Sequence, residues 1–515
     1  MGYSTLQGVF MSEEGVSEKK SFFDDKYTLI FFGILVFGFI LRLIYFNANQ
    51  SLWWDEADWL SIAKHWAFGV PFDVSTMRPP FFPAIVAFLY VFGANELVIR
   101  IFMLAVSVAG IYLTYLIARD LFDKRVALVS SLLISVSYVT LFYTARILLD
   151  IPMMVMWLLA IWFFWKGYVR KESRIYLYLM GVIIALGASM KLPFVLIGIP
   201  LLVYVFLNEG FSLFKNKALW LSIFVFFLAI LPYFIYFNIS YGGLPFISTP
   251  SYGFGQGQLR FGDYASLFPL ILQSPIPYLT TSSFWILNLL LLLFLAGVFY
   301  MAAKFFLGWD LVGKEKSLKT YALLLAWIVT PYIFFSFVEW VEDRYLLMVY
   351  PAVFMVASFM LVKCYDFLKR YKKYVALVFV LLVLFNFTYY QVSYADNLIK
   401  GKASSYVQFK YAGLWMKERT SKDDLIFNSG IPQNTYYSER NTSGYPDKIE
   451  DFERMVAEYK PRYMVLSALE RSPDWSYGWP EQKKDEVKPV LAYYSDEAQQ
   501  KAVLVVYEFV YNATG

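Results

Sequence analysis

YTLIFFGILVFGFILRLIYF, residues 27–46, carries a single charge, Arg42, near its end. A helix of about 20 such residues crosses the hydrocarbon core of a bilayer. Five residues later the chain reads SLWWDEADWL (51–60), with two tryptophans directly before two carboxylates, Asp55 and Glu56. Tryptophan suits the membrane–water interface, whereas adjacent carboxylates repel one another. The apolar run decides the fold class, and the acids beside it raise the question of function.

Composition extends the first conclusion to the whole chain. Its 515 residues are 59% apolar and 21% aromatic, well beyond a soluble domain. Further runs such as FWILNLLLLLFLAGVFYMAA (284–303) repeat the pattern, so a polytopic α-helical membrane protein is expected. The first residues include Glu13, Glu14, Glu18, Lys19 and Lys20 and no early apolar core, so no cleavable signal is expected. One cysteine, Cys364, excludes an internal disulfide, and one histidine, His65, argues against a zinc site of the usual ligands. The net charge of +5 acquires meaning only once the charges are placed, and no nucleic-acid partner is expected.

Hydropathy marks eleven spans, near 28–46, 96–117, 126–142, 148–165, 175–190, 192–207, 219–237, 284–304, 320–337, 345–363 and 374–390. The stretch PPFFPAIVAFLYVFG (79–93) is apolar but makes roughly 21 Å of helix against a core of roughly 30 Å. If it lies along the surface, the basic loops 118–125, 166–174, 214–218, 314–319 and 367–373 all share the cytoplasmic side with the N-terminal tail. Residues 79–93, and likewise 55–69, therefore read as juxtamembrane helices. This divides the chain into a cytoplasmic tail 1–27, a transmembrane catalytic domain 28–390 with outer loops 47–95 and 238–283, and an extracytoplasmic α/β domain 391–515. The loop 238–283 is rich in Gly, Pro, Ser and Tyr, as a flexible flap would be. The last domain is expected to hold helices near 404–419 and 449–459 and strands at 425–429, 462–467 and 502–510. The same topology puts the Asn-X-Ser/Thr triplets at Asn238, Asn441 and Asn512 outside. Gly181 and Gly187 interrupt one span, as close helix packing would.

The ionisable residues near spans sit at the ends. On the outer side these are Arg42, Glu96, Arg100, Arg146, Asp150, Lys191, Glu339, Glu342, Asp343 and Arg344, level with Asp55 and Glu56. One such charge alone is ordinarily a snorkelling or topology-setting residue. Arg146, Lys191 and Arg344 oppose the positive-inside bias, so that reading fits them poorly. Basic groups at that depth suit a lipid phosphate, and a carboxylate beside them suits a general base. A lipid-phosphate donor and a hydroxyl acceptor need both, since the base takes the acceptor proton and the cations stabilise the departing phosphate. Side chains then replace a metal, so no cofactor is expected, although carboxylates alone also suffice to hold magnesium. Trp53, Trp54, Trp59, Tyr143 and Trp340 are placed to stack on sugar rings, but aromatics at this depth are more often interface anchors.

In order along the chain come WWDEADWLSIAKHWAFG, MRPPFFPAIVAFLYVFGANELVIR, ARDLFDKRVALVSS, YTARILLDIPM and VEDRYLLMVYPA. This series resembles the GT-C glycosyltransferases, in the branch of the protein O-mannosyltransferases and the aminoarabinose transferases of lipid A. The resemblance is dense over 50–165 and thinner to about 363. It implies a polyprenyl (dolichyl-type) monophosphate sugar donor, an outward-facing site at the plasma membrane and inversion at the anomeric carbon. By motif, Asp55 matches the catalytic acid of the first loop and Glu56 its acidic neighbour. Arg78 stands where relatives have a lysine or histidine. Arg100 resembles an arginine at the start of the second span, and Arg146 with Asp150 match the second outer loop. Lys191, in Lys-Leu-Pro, resembles a family lysine. Arg344 and Tyr345 open the Arg-Tyr-Leu-Leu motif, with Arg344 a phosphate ligand. Catalytic roles are thus expected at Asp55, Glu56 and Asp150, and substrate contacts at Arg78, Arg100, Arg146, Lys191, Arg344 and Tyr345. The chain lacks the His-Pro-Pro of one branch and the Glu-Lys-Pro-Pro of the other, with Met77 before Arg78, and it has no large inserted β-trefoil-like domain. The acceptor, whether glycan, lipid or protein, therefore stays open.

Two other classes remain as alternatives. A transporter or flippase calls for charges or broken helices at the midplane and often inverted repeats, neither of which is evident. A scaffold with an outer binding domain leaves the acid–base set without a purpose.

Overall fold

The computed structural model describes residues 25–72, 78–244, 259–273, 288–495 and 498–511. The expected cytoplasmic tail (all but its last residues), Met77, most of the loop 238–283 and the triplet at Asn512 lie outside the described residues. The membrane part runs α1 (Lys26–Tyr45), α2 (Trp54–Phe68), α3 (Phe81–Val91), α4 (Glu96–Leu121), α5 (Lys124–Val136), α6 (Tyr138–Thr144), α7 (Asp150–Phe164), α8 (Ile175–Ala188), α9 (Gly198–Glu209) and α10 (Lys217–Tyr241). After two single-turn helices, Phe261–Ala265 and Leu267–Ile271, follow α11 (Leu289–Leu307), α12 (Lys316–Phe335), α13 (Tyr350–Lys369) and α14 (Lys373–Lys402).

Side-chain oxygens of Asp25, Asn95, Asp123 and Asn216 cap the first turns of α1, α4, α5 and α10, satisfying amides that the helix leaves free. Among the described residues nine helical stretches are long and apolar enough to cross a membrane, and α5 with α6, meeting at 52°, make a tenth. The remaining expected span, 175–190, is α8, a helix of 14 residues. It makes roughly 21 Å, short of a bilayer core. Burial separates the centre of the bundle from its rim: 78% of the α7 window is buried against 17% for α10. The glycines of α8 do mark close packing, since a Cβ at Gly181 would stand 2.5 Å from the Ser222 carbonyl on α10.

The C-terminal part holds α15 (Val407–Lys417), α16 (Ile431–Ser438), α17 (Ile449–Tyr459) and α18 (Asp474–Gln482) around β1 (Leu425–Asn428), β2 (Asn441–Ser443), β3 (Tyr463–Ser467), β4 (Val487–Tyr494) and β5 (Ala502–Phe509). The sheet order is β2-β1-β3-β5-β4, with β1 parallel to both neighbours and β5 antiparallel to β3 and β4. All five expected elements are present. The expected boundary at 390–391 falls inside α14, which continues unbroken to Lys402.

The sheet part docks through α16 on α2. Lys64 pairs with Glu439 at 2.8 Å and sits 3.9 Å over the Tyr436 ring. The Tyr437 hydroxyl accepts from the Leu52 amide at 2.9 Å. The helix that carries Asp55 is thereby clamped between bundle and sheet.

Candidate functional site

The site starts from the first turn of α2. Asp55 is its second residue and Glu56 its third, so their side chains diverge by about 100°. Asp55 turns toward a cluster of ion pairs. One carboxylate oxygen accepts from Arg78 Nη2 at 2.7 Å, and the other from Arg344 Nη1 at 3.0 Å. Arg78 also donates to Asp58, one turn along the same face. Its guanidinium lies 4.8 Å over the Trp59 ring and 5.7 Å from that of Trp54, so these rings face a cation.

Arg344 is held from several sides. Glu342 takes its Nε and Nη2, and Asp150, the first residue of α7, stands 3.9 Å from Nη1. Asp150 also stands 3.7 Å from Lys191 Nζ, which lies 4.4 Å over the Tyr345 ring. The turn carrying Arg344 is anchored by Asp343. Its carboxylate accepts from the Tyr143 hydroxyl at 2.6 Å and the Tyr138 hydroxyl at 3.1 Å, and its carbonyl from Tyr350 at 2.7 Å.

Six expected residues thus meet: Asp55, Arg78, Asp150, Lys191, Arg344 and Tyr345. Three cations (Arg78, Lys191, Arg344) face four carboxylates (Asp55, Asp58, Asp150, Glu342). Burial alone raises the Asp55 carboxyl, but Arg78 and Arg344 outweigh it and hold the group below the usual carboxylate range. Burial also lowers the Lys191 ammonium, with Asp150 pulling the other way. The Asp343 carboxyl is raised by burial against its two tyrosine hydrogen bonds. Asp55 keeps 29% of its side chain exposed, while Asp58 has 0%. Among the described residues no group of three or more His, Cys, Asp or Glu is spaced to hold a metal.

The other three expected residues lie behind α2. Glu56 is fully buried and accepts from the Trp53 amide at 2.7 Å and the Ile147 amide at 2.6 Å, with Arg146 at 3.5 Å. Arg146 stacks 3.7 Å over Trp53 and donates to the Lys402 carbonyl at 3.2 Å. Arg100 pairs with Glu96 at 2.8 Å and donates to the Ala145 carbonyl at 2.9 Å. These contacts close on the protein itself and leave Glu56, Arg100 and Arg146 out of the Asp55 cluster. Asp58 is not among the residues expected from sequence, and Asp343 is expected only as one of the outer-end charges, with no role. The spacing of Asp58, three residues beyond Asp55 on a helix, was the available signal; nothing local marks Asp343 off from Glu342.

The model of the dolichyl-phosphate-mannose-protein mannosyltransferase family matches residues 77–236, which include Arg78, Asp150 and Lys191. No curated protein matches the chain. Among solved structures the chain is similar to ArnT from Cupriavidus metallidurans bound to undecaprenyl phosphate, at 15% identity and TM-score 0.64, over 93% of this chain and 98% of that one. It is also similar to the apo oligosaccharyltransferase of Archaeoglobus fulgidus, at 15% identity and TM-score 0.61, over 87% of this chain and 70% of that one. A further structure of that oligosaccharyltransferase, tethered to an acceptor peptide, matches at 15% identity and TM-score 0.60, over 96% and 74%. The chain shares the fold of these solved structures, and its helices are those of an integral membrane protein. With the mannosyltransferase-family match over 77–236, the chain is similar to membrane glycosyltransferases in part of its sequence and in its fold.

Proposed function

We propose that the enzyme transfers a sugar from a polyprenyl monophosphate to a hydroxyl acceptor, with inversion, and that Asp55 is the general base. The observation that supports this reading is Asp55 bridging two guanidiniums, with a third cation, Lys191, beyond Asp150. The acceptor oxygen attacks the anomeric carbon and forms the new glycosidic bond. The bond from that carbon to the phosphate oxygen breaks, and its electron pair leaves with the phosphate. The acceptor proton passes to an Asp55 oxygen. Arg78, Arg344 and Lys191 balance the charge gathering on the phosphate.

A carboxylate held between two arginines is a weak base. Donor entry corrects this in the proposed sequence. The phosphate competes with Asp55 for Arg78 and Arg344, and as they turn to it the carboxyl loses two cations and gains basicity. The donor thus creates the base that acts on it. Side-chain cations take the place of a metal, so chelation with EDTA should leave turnover unchanged; loss of turnover restored by magnesium would assign that role to an ion.

The site and the sheet face the outside of the plasma membrane in this reading, supported by the alternation of basic loops. Lys422→Cys, on an exposed turn, should react with an impermeant thiol reagent in intact cells. Labelling only after lysis inverts the topology. The activity is tested by incubating purified enzyme with radiolabelled polyprenyl-phosphate sugars and candidate acceptors. Release of polyprenyl phosphate with label on an acceptor is expected. No release with any donor, while the lipid phosphate binds, removes the transferase reading.

A further inference from the structure

Arg42, the one charge in α1 beyond its first residue, does not snorkel to the outer surface. It is 1% exposed, inside the bundle. Its partners among the described residues are all neutral. Nε donates to Ser107 Oγ on α4 at 2.7 Å, and Nη1 to the carbonyls of Gly38 at 3.0 Å and Ser135 at 2.8 Å. Nη2 reaches Thr140 Oγ1 on α6 at 3.3 Å. A cation placed in a membrane bundle is costly and ordinarily marks function.

What it holds is a break. α5 ends at Val136 and α6 starts at Tyr138, bent by 52° with no proline at the corner. In a straight helix the Ser135 carbonyl would accept from the amide four residues on. The bend removes that donor, and a bare carbonyl at membrane depth is costly because no water is there to replace the bond. Arg42 supplies the replacement for Ser135, and Thr140 Oγ1 lies 2.7 Å from the Ile134 carbonyl and 2.9 Å from that of Ser137.

The bend aims α6 at both halves of the site. Tyr138 and Tyr143 meet Asp343, the neighbour of Arg344. The turn after α6 brings Arg146 and the Ile147 amide to Glu56, the neighbour of Asp55. We infer that Arg42 is a positioning residue: by stabilising the α5–α6 bend it sets the separation of Asp55 and Arg344, which rests on the reaction proposed above. Its four acceptors sit on four elements, which a guanidinium can serve at once and a lysine ammonium cannot.

The test is a double-mutant cycle of Arg42→Lys and Tyr143→Phe, read in kcat, donor KM and Tm on full-length enzyme. Misplacement of a site by about 1 Å costs roughly 100-fold. Arg42→Lys should therefore lower kcat about 10- to 100-fold with donor KM within about 3-fold, a split that lost folding alone does not give. Its effect should be non-additive with Tyr143→Phe, which acts through the same α6, and additive with Lys191→Gln, which is reached without α6. Wild-type turnover with unchanged kcat in Arg42→Lys, or with an additive Arg42–Tyr143 pair, overturns the inference. If Arg42→Lys does not fold, Thr140→Val and Ser107→Ala, each removing one partner, are read in the same way. If the wild type turns over no donor, the reaction fails and the Tm cycle judges Arg42 alone: coupling in Tm keeps it on the α6 path, additivity removes it.

Discussion

Asp55 and Glu56 are adjacent residues on one helix turn, and they occupy opposite kinds of surroundings. In front of α2, Asp55 shares Arg78 and Arg344 with Asp58, Glu342 and Asp150, and the two arginines keep 14% and 15% of their side chains exposed. Behind it, Glu56 and Arg146 have 0% exposure, and two backbone amides fix the carboxylate. The front is a set of contested cations that an incoming anion can win. The back is closed. A charge cluster is ready for chemistry where its partners can be exchanged, and serves the fold where they cannot.

The sharpest way to break this contrast is to neutralise each acid. Asp55→Asn should lower kcat at least ~100-fold while donor affinity is kept or tightened, because the phosphate no longer competes with a carboxylate for the two arginines. Glu56→Gln should keep most of its turnover per folded molecule and instead lower Tm. A near-normal Asp55→Asn with a dead Glu56→Gln would exchange the two roles, and if both turn over normally Asp150 is the next candidate for the base.

Removing cations comes next. Charge-assisted contacts contribute roughly 1.5–3 kcal/mol, so Arg344→Ala should raise donor KM roughly 10- to 100-fold, with lysine restoring only part. Arg146→Ala should leave donor KM alone and destabilise the fold, since it strands a buried carboxylate. Equal donor KM effects from the two would erase the distinction.

The pH profile gives a smaller effect. In the free enzyme the two arginines hold the Asp55 carboxyl below the ordinary range, so the acid limb of kcat/KM should lie lower than an unpaired aspartate would set it. With donor bound the arginines are engaged elsewhere, and the acid limb of kcat should move up. Coincident limbs would show that the arginines never leave Asp55. The same depressed group stabilises the fold above its unfolded pKa, and that contribution is lost as pH falls through the folded value.

The stacked tryptophans should give the least. A cation–π contact is worth about 0.5–2 kcal/mol. Trp59→Leu should show it in donor KM through Arg78, and Trp53→Leu in Tm through Arg146. A donor effect from Trp53→Leu would connect back to front.

Hydropathy made the membrane fold legible because nearly every span is long and almost uncharged, α8 being the short exception, and it located the level of the charges. It could not show which face of a helix a charge occupies. Arg42 therefore read as an outer-end charge while it points into the bundle, and Glu56 and Arg146 read as part of one set with Asp55. Pairings across 200 residues or more, such as Asp55 with Arg344 or Tyr143 with Asp343, carry no local pattern. In the C-terminal part, β4 was hidden by Lys488 and Pro489, which the sheet tolerates because β4 is an edge strand. The segment IPQNTYYS of α16 is buried by its neighbours and has no apolar stripe of its own.

The unbroken run of α14 has a mechanical consequence. Thirty residues of continuous helix form a beam of about 45 Å. A flexible linker of that length would absorb any tilt of the sheet, whereas a helix transmits it. The beam is fastened to α1 through Asp396 and Tyr45 at 2.9 Å, and its last carbonyl, Lys402, rests on Arg146. Load applied at the sheet is therefore delivered as leverage to the closed side of α2, one residue away from Asp55.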